Sequence, residues 1–341
     1  MRFGLFGGPA AEPDRVGFEH TYHHFARYAV EAEALGFASV FLTEHHFTGL
    51  GQASSPLTLL AHLAGRTTTL RLGTAVTVLP WHDPLLIAEQ AATVDVLSHG
   101  RLDFGVGRGF RAAEFAGFVQ SMDDAAERYG EALALIRRAW TADGRWSHEG
   151  RFWRYADVLA EPAAVQRPHP PIWVGAGSPA SLTAAADEGF RLLLDQVASF
   201  ETIAERLALY RERVIELGGE FRAERDVAVT RSLHLVDNAD EREAAIRRRV
   251  AGFAEVAKLT NDAAGPRNRM AADYTSDIRA ATEAGAIIGD ADECVERLER
   301  LRDAGVEYVL LIDRENSLET LRAFAREVMP RLTPAPLASE R

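Results

Sequence analysis

Met1-Arg-Phe-Gly-Leu-Phe-Gly7, the helically spaced run His20 to Leu35 closed by Gly36, and Phe37-Ala-Ser-Val-Phe-Leu-Thr43 together decide the fold. The first and third segments are short, apolar and partly β-branched, as expected of strands buried on both faces. The middle segment has helical periodicity and stops at a glycine. Strand, helix and strand in immediate succession imply parallel strands joined by a crossover helix.

The same alternation continues outward from this unit. The spacing predicts helices over Pro56 to Thr67 and Pro84 to Leu97, and strands over Leu70 to Val78 and Leu102 to Val106. It then predicts the helix Ala125 to Trp140, an irregular stretch carrying Pro162, Pro168, Pro170 and Pro171, and the strand Ile172 to Gly175. Strands follow at Arg191 to Leu194, Val227 to Val236, Ala286 to Ile288 and Val306 to Ile312, with helices between them. About eight strands in this pattern favour a closed (β/α)8 TIM barrel over an open doubly wound sheet. The expected organisation is one α/β barrel domain over residues 1–332, followed by a short tail at 333–341. Phe253 to Arg279 contains no evident strand and is rich in charge, Asn, Gly and Pro. A connection that long inside a compact domain reads as an inserted, lid-like segment.

Composition narrows the function. The chain has 341 residues, 47% of them hydrophobic, and a net charge of -12. That balance opposes a general role in gripping nucleic acid or an anionic membrane, both of which need clustered cations. Small molecules are the expected partners. Lys258 is the single lysine, so nearly all positive charge is guanidinium. One cysteine, Cys294, excludes an internal disulfide and a cysteine-rich metal site, and no run resembles a secretory leader or a membrane span, so a cytoplasmic protein is expected.

In a barrel of this kind chemistry sits where the strands end. Thr43-Glu44-His45-His46 places a carboxylate and two imidazoles at the end of the second strand. Either histidine could move a proton near neutral pH, with Glu44 fixing a tautomer, or be an ordinary hydrogen-bonded structural residue. Glu-His-His on one strand end points alternate side chains apart, so no metal site is expected. Gly105-Val-Gly-Arg108-Gly109 does not match the dinucleotide-binding spacing. Its glycines admit close approach of a ligand, with Arg108 for an anion, or simply tight barrel packing. Gly175-Ala-Gly177-Ser178-Pro179 opens a helix and suits a phosphate, with Ser181 one turn on; a plain N-cap by Ser178 explains it nearly as well. Arg128 could add a second cation or be a solvated surface arginine.

With these motifs in view, the chain resembles the luciferase-like flavin-dependent monooxygenases. The resemblance rests on Thr43-Glu-His-His-Phe47, Leu72-Gly-Thr-Ala-Val-Thr-Val-Leu-Pro80, Asp95-Val-Leu-Ser-His-Gly-Arg-Leu102 running into Phe104-Gly-Val-Gly-Arg-Gly109, and Ile172-Trp-Val-Gly-Ala-Gly-Ser178. It implies reduced FMN in the barrel mouth, supplied by a separate flavin reductase, and oxygenation of a small organic substrate through a flavin hydroperoxide. It puts His45 at the catalytic histidine, with Glu44 and Glu114 orienting it. Arg108, Gly109, Gly177, Ser178, Ser181 and, with different spacing, Arg128 fall on the phosphate side, and Ala75-Val76 falls on a non-proline cis peptide beneath the flavin. A homodimer through the early helices is also implied. In the light-emitting members a cysteine precedes the Arg108 position, whereas this chain has Gly107. Hydride transfer with a deazaflavin is the alternative within the same superfamily; a non-catalytic flavin-binding protein is a third reading, opposed by the intact Glu44-His45-His46 cluster.

Overall fold

A computed structural model describes residues 1–9, 17–260 and 277–332. Eight parallel strands close into a barrel: β1 Arg2–Gly7, β2 Ser39–Leu42, β3 Arg71–Thr74, β4 Leu102–Gly107, β5 Ile172–Gly175, β6 Arg191–Leu194, β7 Val227–Leu235 and β8 Tyr308–Ile312. Each strand pairs with its neighbours in chain order, and β8 pairs with both β7 and β1, which closes the ring.

Alternation along each strand divides the apolar residues between two layers. Val40 and Leu42 of β2 face the surrounding helices and join the large core between barrel and helices. Phe41, between them, points inward and packs with Trp173, Leu193, Ala228, Tyr308 and Leu310. This period-2 division of a continuously apolar run explains why both faces of the strands read as hydrophobic. Phe41 and Trp173 meet edge to face with ring centroids 5.4 Å apart, so the barrel interior is filled rather than hollow. Complete burial of rings this large stabilises by roughly 2–3 kcal/mol each.

Four features depart from the sequence-based expectation. The predicted strand Leu70 to Val78 is interrupted: Arg71–Thr74 pairs with β2, Thr77–Val78 pairs with β4, and the Ala75-Val76 peptide between them is cis. Ile287–Gly289 pairs only with the overhanging end of β7 and is not a barrel stave; β7 is long enough to serve β6 and β8 with one half and this extra strand with its last three residues. The proline-rich connection contains an antiparallel hairpin, Trp146–Glu149 with Arg154–Val158. Residues 253–260 of the expected lid belong to the helix Ala239–Thr260, and its last residues enter the helix Ile278–Gly285. The remainder of that segment, 261–276, and the tail at 333–341 lie outside the described residues.

Gly105 of β4 settles how to read its glycine-rich motif. A side chain there would overlap the Thr74 carbonyl oxygen, and one at Gly107 would overlap the Val76 side chain. These two glycines are required by the interrupted third strand pressing on β4, which is the packing reading rather than the ligand reading. Gly109 has φ +76°, a left-handed conformation that only glycine adopts without strain.

Candidate active site

The Glu44-His45-His46 segment leaves the C-terminal end of β2. Thr43 N–H donates to the Gly7 carbonyl at 2.8 Å and His45 N–H to the Ala53 carbonyl at 2.9 Å, which fixes the turn over the barrel mouth. Consecutive side chains of this extended stretch point to opposite sides, so Glu44 and His45 serve different partners. His45 Nδ1 lies 3.0 Å from Glu114 Oε1, and the same oxygen accepts the His46 backbone N–H at 2.9 Å. Glu44 Oε1 instead accepts from His46 Nε2 at 2.9 Å and His82 Nε2 at 2.6 Å, and its Oε2 accepts the Val78 N–H at 2.8 Å. The expectation that Glu44 orients His45 is therefore corrected. Glu114 does so, and Glu44 locks His46 and His82 to the edge of the interrupted third strand.

Both carboxylates are 2% exposed. The short helix Ala112–Gly117, which carries Glu114, starts directly after β4. Arg111 is equally buried, lies 3.7 Å from Glu114 and donates through Nη1 to Gln52 Oε1 at 3.0 Å. Sequence reasoning singled out neither His82 nor Arg111. Arg111 carried a usable signal, since it is a polar residue just past a barrel strand; His82 follows a three-residue 3-10 turn, Leu79–Trp81, for which the sequence offers no marker.

Burial is the largest influence on His45 and holds its imidazole below the ordinary value; Arg111 acts in the same direction, while Glu114 and Glu44 oppose them. His45 is thus neutral at pH 7. With Nδ1–H donating to Glu114, its Nε2 carries the lone pair and can accept a proton. Burial pushes Glu44 up, but the hydrogen bonds from His46, His82 and Val78 outweigh it and keep the carboxyl below its usual range, so it stays ionised.

Aromatic rings flank the histidines. His46 meets Phe118 at 4.7 Å and Trp81 at 5.5 Å, and Trp81 stacks on Phe118 at 5.2 Å. Trp81 Nε1 and Thr77 Oγ1 are buried with no hydrogen-bond partner among the described residues. Such orphaned polar atoms beside a strand end suit a polar molecule bound in the mouth. Space for one exists, since a side chain added at Gly7, the last residue of β1, would meet no atom within 4 Å, and one at Gly175, the last of β5, would meet only the Leu193 carbonyl at 4.0 Å.

The phosphate-side candidates are not all placed alike. Ser178 caps the helix Pro179–Asp187 in a capping box with Ser181. Gly177 and Ser178 N–H both donate to Ser181 Oγ, at 3.2 and 3.0 Å, so these two donors are already engaged, and an anion at this helix end would have to displace the Ser181 hydroxyl. Arg108 is exposed beside Tyr129, whose hydroxyl it eases downward against the larger effect of burial. Arg128 is not a solvated surface residue. It donates to the Pro80 carbonyl at 3.1 Å, and its guanidinium lies over the Phe152 and Trp153 rings at 4.9 and 4.6 Å. Among the described residues no group of three His, Cys, Asp or Glu side chains could hold a metal ion.

The family model for luciferase-like monooxygenases matches residues 1–308. The chain belongs to this family. A flavin-dependent trigonelline monooxygenase, oxygenase component, from Acinetobacter baylyi is 28% identical over 97% of this chain and 95% of its own. The monooxygenase RslO1 from Streptomyces bottropensis, also 28% identical, superposes with a TM-score of 0.82 over 98% of this chain and all of its own. An F420-dependent secondary alcohol dehydrogenase, 17% identical, superposes with a TM-score of 0.77 over 97% of this chain and 99% of its own, and at that identity it shares the fold alone. This luciferase-like chain is accordingly an oxidoreductase barrel with its polar cluster at the C-terminal mouth. No helix among the described residues is long and apolar enough to cross a membrane.

Proposed function

We propose that this luciferase-like protein is the oxygenase component of a two-component monooxygenase that takes reduced FMN from a separate flavin reductase and inserts one atom of dioxygen into a small organic substrate. The observation that carries the reading is the largely buried His45 imidazole at the barrel mouth, its pKa lowered by burial and its ring fixed by Glu114, in a chain related over 97% of its length to a flavin-dependent oxygenase component. Reduced FMN, when bound, supplies the two electrons that activate dioxygen.

The protein's own groups position, shield and move protons. Glu114 fixes the His45 ring so that Nε2 is the atom that accepts or returns a proton. Glu44 anchors His46, His82 and the Val78 backbone, which steadies the segment carrying Thr77 and the Ala75-Val76 bond. Trp81, Phe115 and Phe118 keep water from the histidines, and the half-buried Phe118 offers flat apolar contact to a substrate. Ser178, Ser181 and the helix they cap, with Arg108, Gly109, Gly177 and Arg128, are the residues for the FMN phosphate. The exposed Leu86, Val96 and Leu97 on the helix Pro84–Leu97 support a homodimer through the early helices.

Anaerobic titration with reduced FMN, followed by stopped-flow mixing with oxygenated buffer, tests the reading. Saturable binding and an oxygen-dependent absorbance transient that decays faster in His45→Ala are expected. Failure to bind reduced FMN, with binding of reduced F420 and no oxygen requirement, would overturn it in favour of deazaflavin-dependent hydride transfer.

A further inference from the structure

The opposite end of the barrel holds a second polar cluster that the chemistry above does not use. Arg2, Arg71, Asp103, Trp173, Arg191 and Tyr308 sit at or next to the N-terminal ends of β1, β3, β4, β5, β6 and β8, and with Arg225 they line a cavity of about 250 Å³. Four guanidinium groups and one carboxylate face this space.

The hydrogen bonds of these groups can be followed one by one. Asp103 is 1% exposed and fully engaged: Arg71 grips it at 2.6 and 2.9 Å, and Trp173 Nε1–H donates to it at 3.0 Å. Arg225 holds Asp226 at 2.6 and 2.8 Å, and Asp226 also accepts the Arg222 N–H at 2.8 Å. Arg2 donates one N–H to the Glu224 carbonyl at 2.6 Å and lies over the Tyr308 ring at 4.6 Å. Arg191 is left over. Its closest carboxylate oxygens, on Asp103 and Asp226, are 3.6 and 3.8 Å away, and both acids are already taken. Its guanidinium keeps those two long ion pairs and lies 5.5 Å from the centre of the Trp173 ring, but its side chain makes no hydrogen bond among the described residues, although only 23% of it reaches solvent.

A guanidinium carries five donors in a planar fork and is costly to bury without acceptors. Burial, aided by the like charges of Arg71 and Arg225, lowers the Arg191 pKa in spite of Asp103 and Asp226. An oxyanion would satisfy the fork, offset the local excess of positive charge and bind in the bidentate manner that arginine favours. The cavity is smaller than the roughly 300–1,000 Å³ typical of sites for drug-sized ligands, so the occupant must be compact.

We propose that the N-terminal end of the barrel is a second binding site, for a small oxyanion, phosphate or a short carboxylate, received by Arg191 with Arg2 and Arg225. The ligand ties β1, β6 and the segment leading into β7 together, and its binding is separate from the mouth where His45 lies.

Isothermal titration of the whole protein with inorganic phosphate and, separately, with succinate at matched ionic strength distinguishes the two sources of the anion. Saturable binding of at least one, with a matching rise in melting temperature, is expected. Arg191→Gln should weaken it by about tenfold or more, the loss of a charge-assisted bidentate contact. Arg2→Gln, a change nearer the rim, guards against a misfolded Arg191 variant and should weaken binding as well. No saturable binding of either anion, or binding that Arg191→Gln and Arg2→Gln both leave at parental affinity, would overturn the proposal.

Discussion

The two ends of the barrel are built from the same strands and obey opposite rules. At the N-terminal end, Asp103 is wrapped by Arg71 and Trp173, and all but one of the groups around it have acceptors close at hand. At the C-terminal end, the strands stop in a largely buried imidazole whose pKa burial lowers, two buried polar atoms with no partner among the described residues, and glycines that leave the backbone open. One end spends its polar residues on cohesion, and the other holds them in positions that cost stability and gain chemistry. That division is the one expected of barrels of this kind, in which the C-terminal face carries the activity.

The largest contrast should appear when one group is removed from each end. Asp103→Asn leaves the Arg71 guanidinium and the Trp173 N–H without their buried anion, and breaking such a pair costs about 3–5 kcal/mol. Urea unfolding should show that loss as a lower midpoint. His45→Ala should do the reverse. Loss of a positioned proton-transfer group lowers turnover by about 10²–10⁴-fold, while the urea midpoint and the affinity for reduced FMN stay close to the parent. Product formation under a regenerated supply of reduced flavin reads the rate. A His45 variant with parental turnover, or an Asp103 variant as stable as the parent, would break the comparison.

How much of this could be read in the sequence follows from which signals are local. Strand, helix and strand in Met1 to Thr43 is a local pattern, and it led directly to the barrel. The cis bond at Ala75-Val76 and the role of Glu114 came with the resemblance, not from periodicity. The outlying strand Ile287–Gly289 looked like a stave because a short apolar run has the same appearance whichever strand it pairs with. Glu44 precedes His45 in sequence, but an extended backbone turns neighbours away from each other, so adjacency along the chain does not make them partners. The cluster at the N-terminal end has no local signal for a related reason: Arg2, Arg71, Arg191 and Arg225 are far apart along the chain, and only closure of the barrel gathers them.

A smaller effect should separate the ends by pH. Asp313 follows β8 at the mouth, and burial raises its carboxyl to about 6 from 3.8, against the pull of the Ser317 and Glu315 N–H groups. The folded protein therefore keeps this proton to higher pH than the unfolded chain does. Its contribution to stability is intact below about pH 4 and is lost as pH rises toward 6; a difference of roughly 2 pH units corresponds to about 3 kcal/mol. Asp313→Asn abolishes that titration. Unfolding free energies at pH 4 and pH 7 should fall more for the parent than for the variant, and equal changes in both would show that the mouth imposes no such cost at Asp313.

The smallest expected change in stability is at Gly175, and it sharpens the comparison most finely. Gly105 and Gly175 lie on the adjacent strands β4 and β5, but Gly105 is pressed against the Thr74 carbonyl while Gly175 borders open space at the mouth. Gly175 is exposed and has no positive φ, so alanine fits its backbone. Gly175→Ala should leave stability unchanged or raise it by about 0.5 kcal/mol, through the lower entropy of the unfolded chain. The added methyl group enters the space assigned to the cofactor, so reduced FMN should bind several-fold more weakly, a change of about 1 kcal/mol. Unchanged affinity together with unchanged stability would mean that the end of β5 does not border the flavin, and the cofactor would have to lie nearer β1 and Gly7.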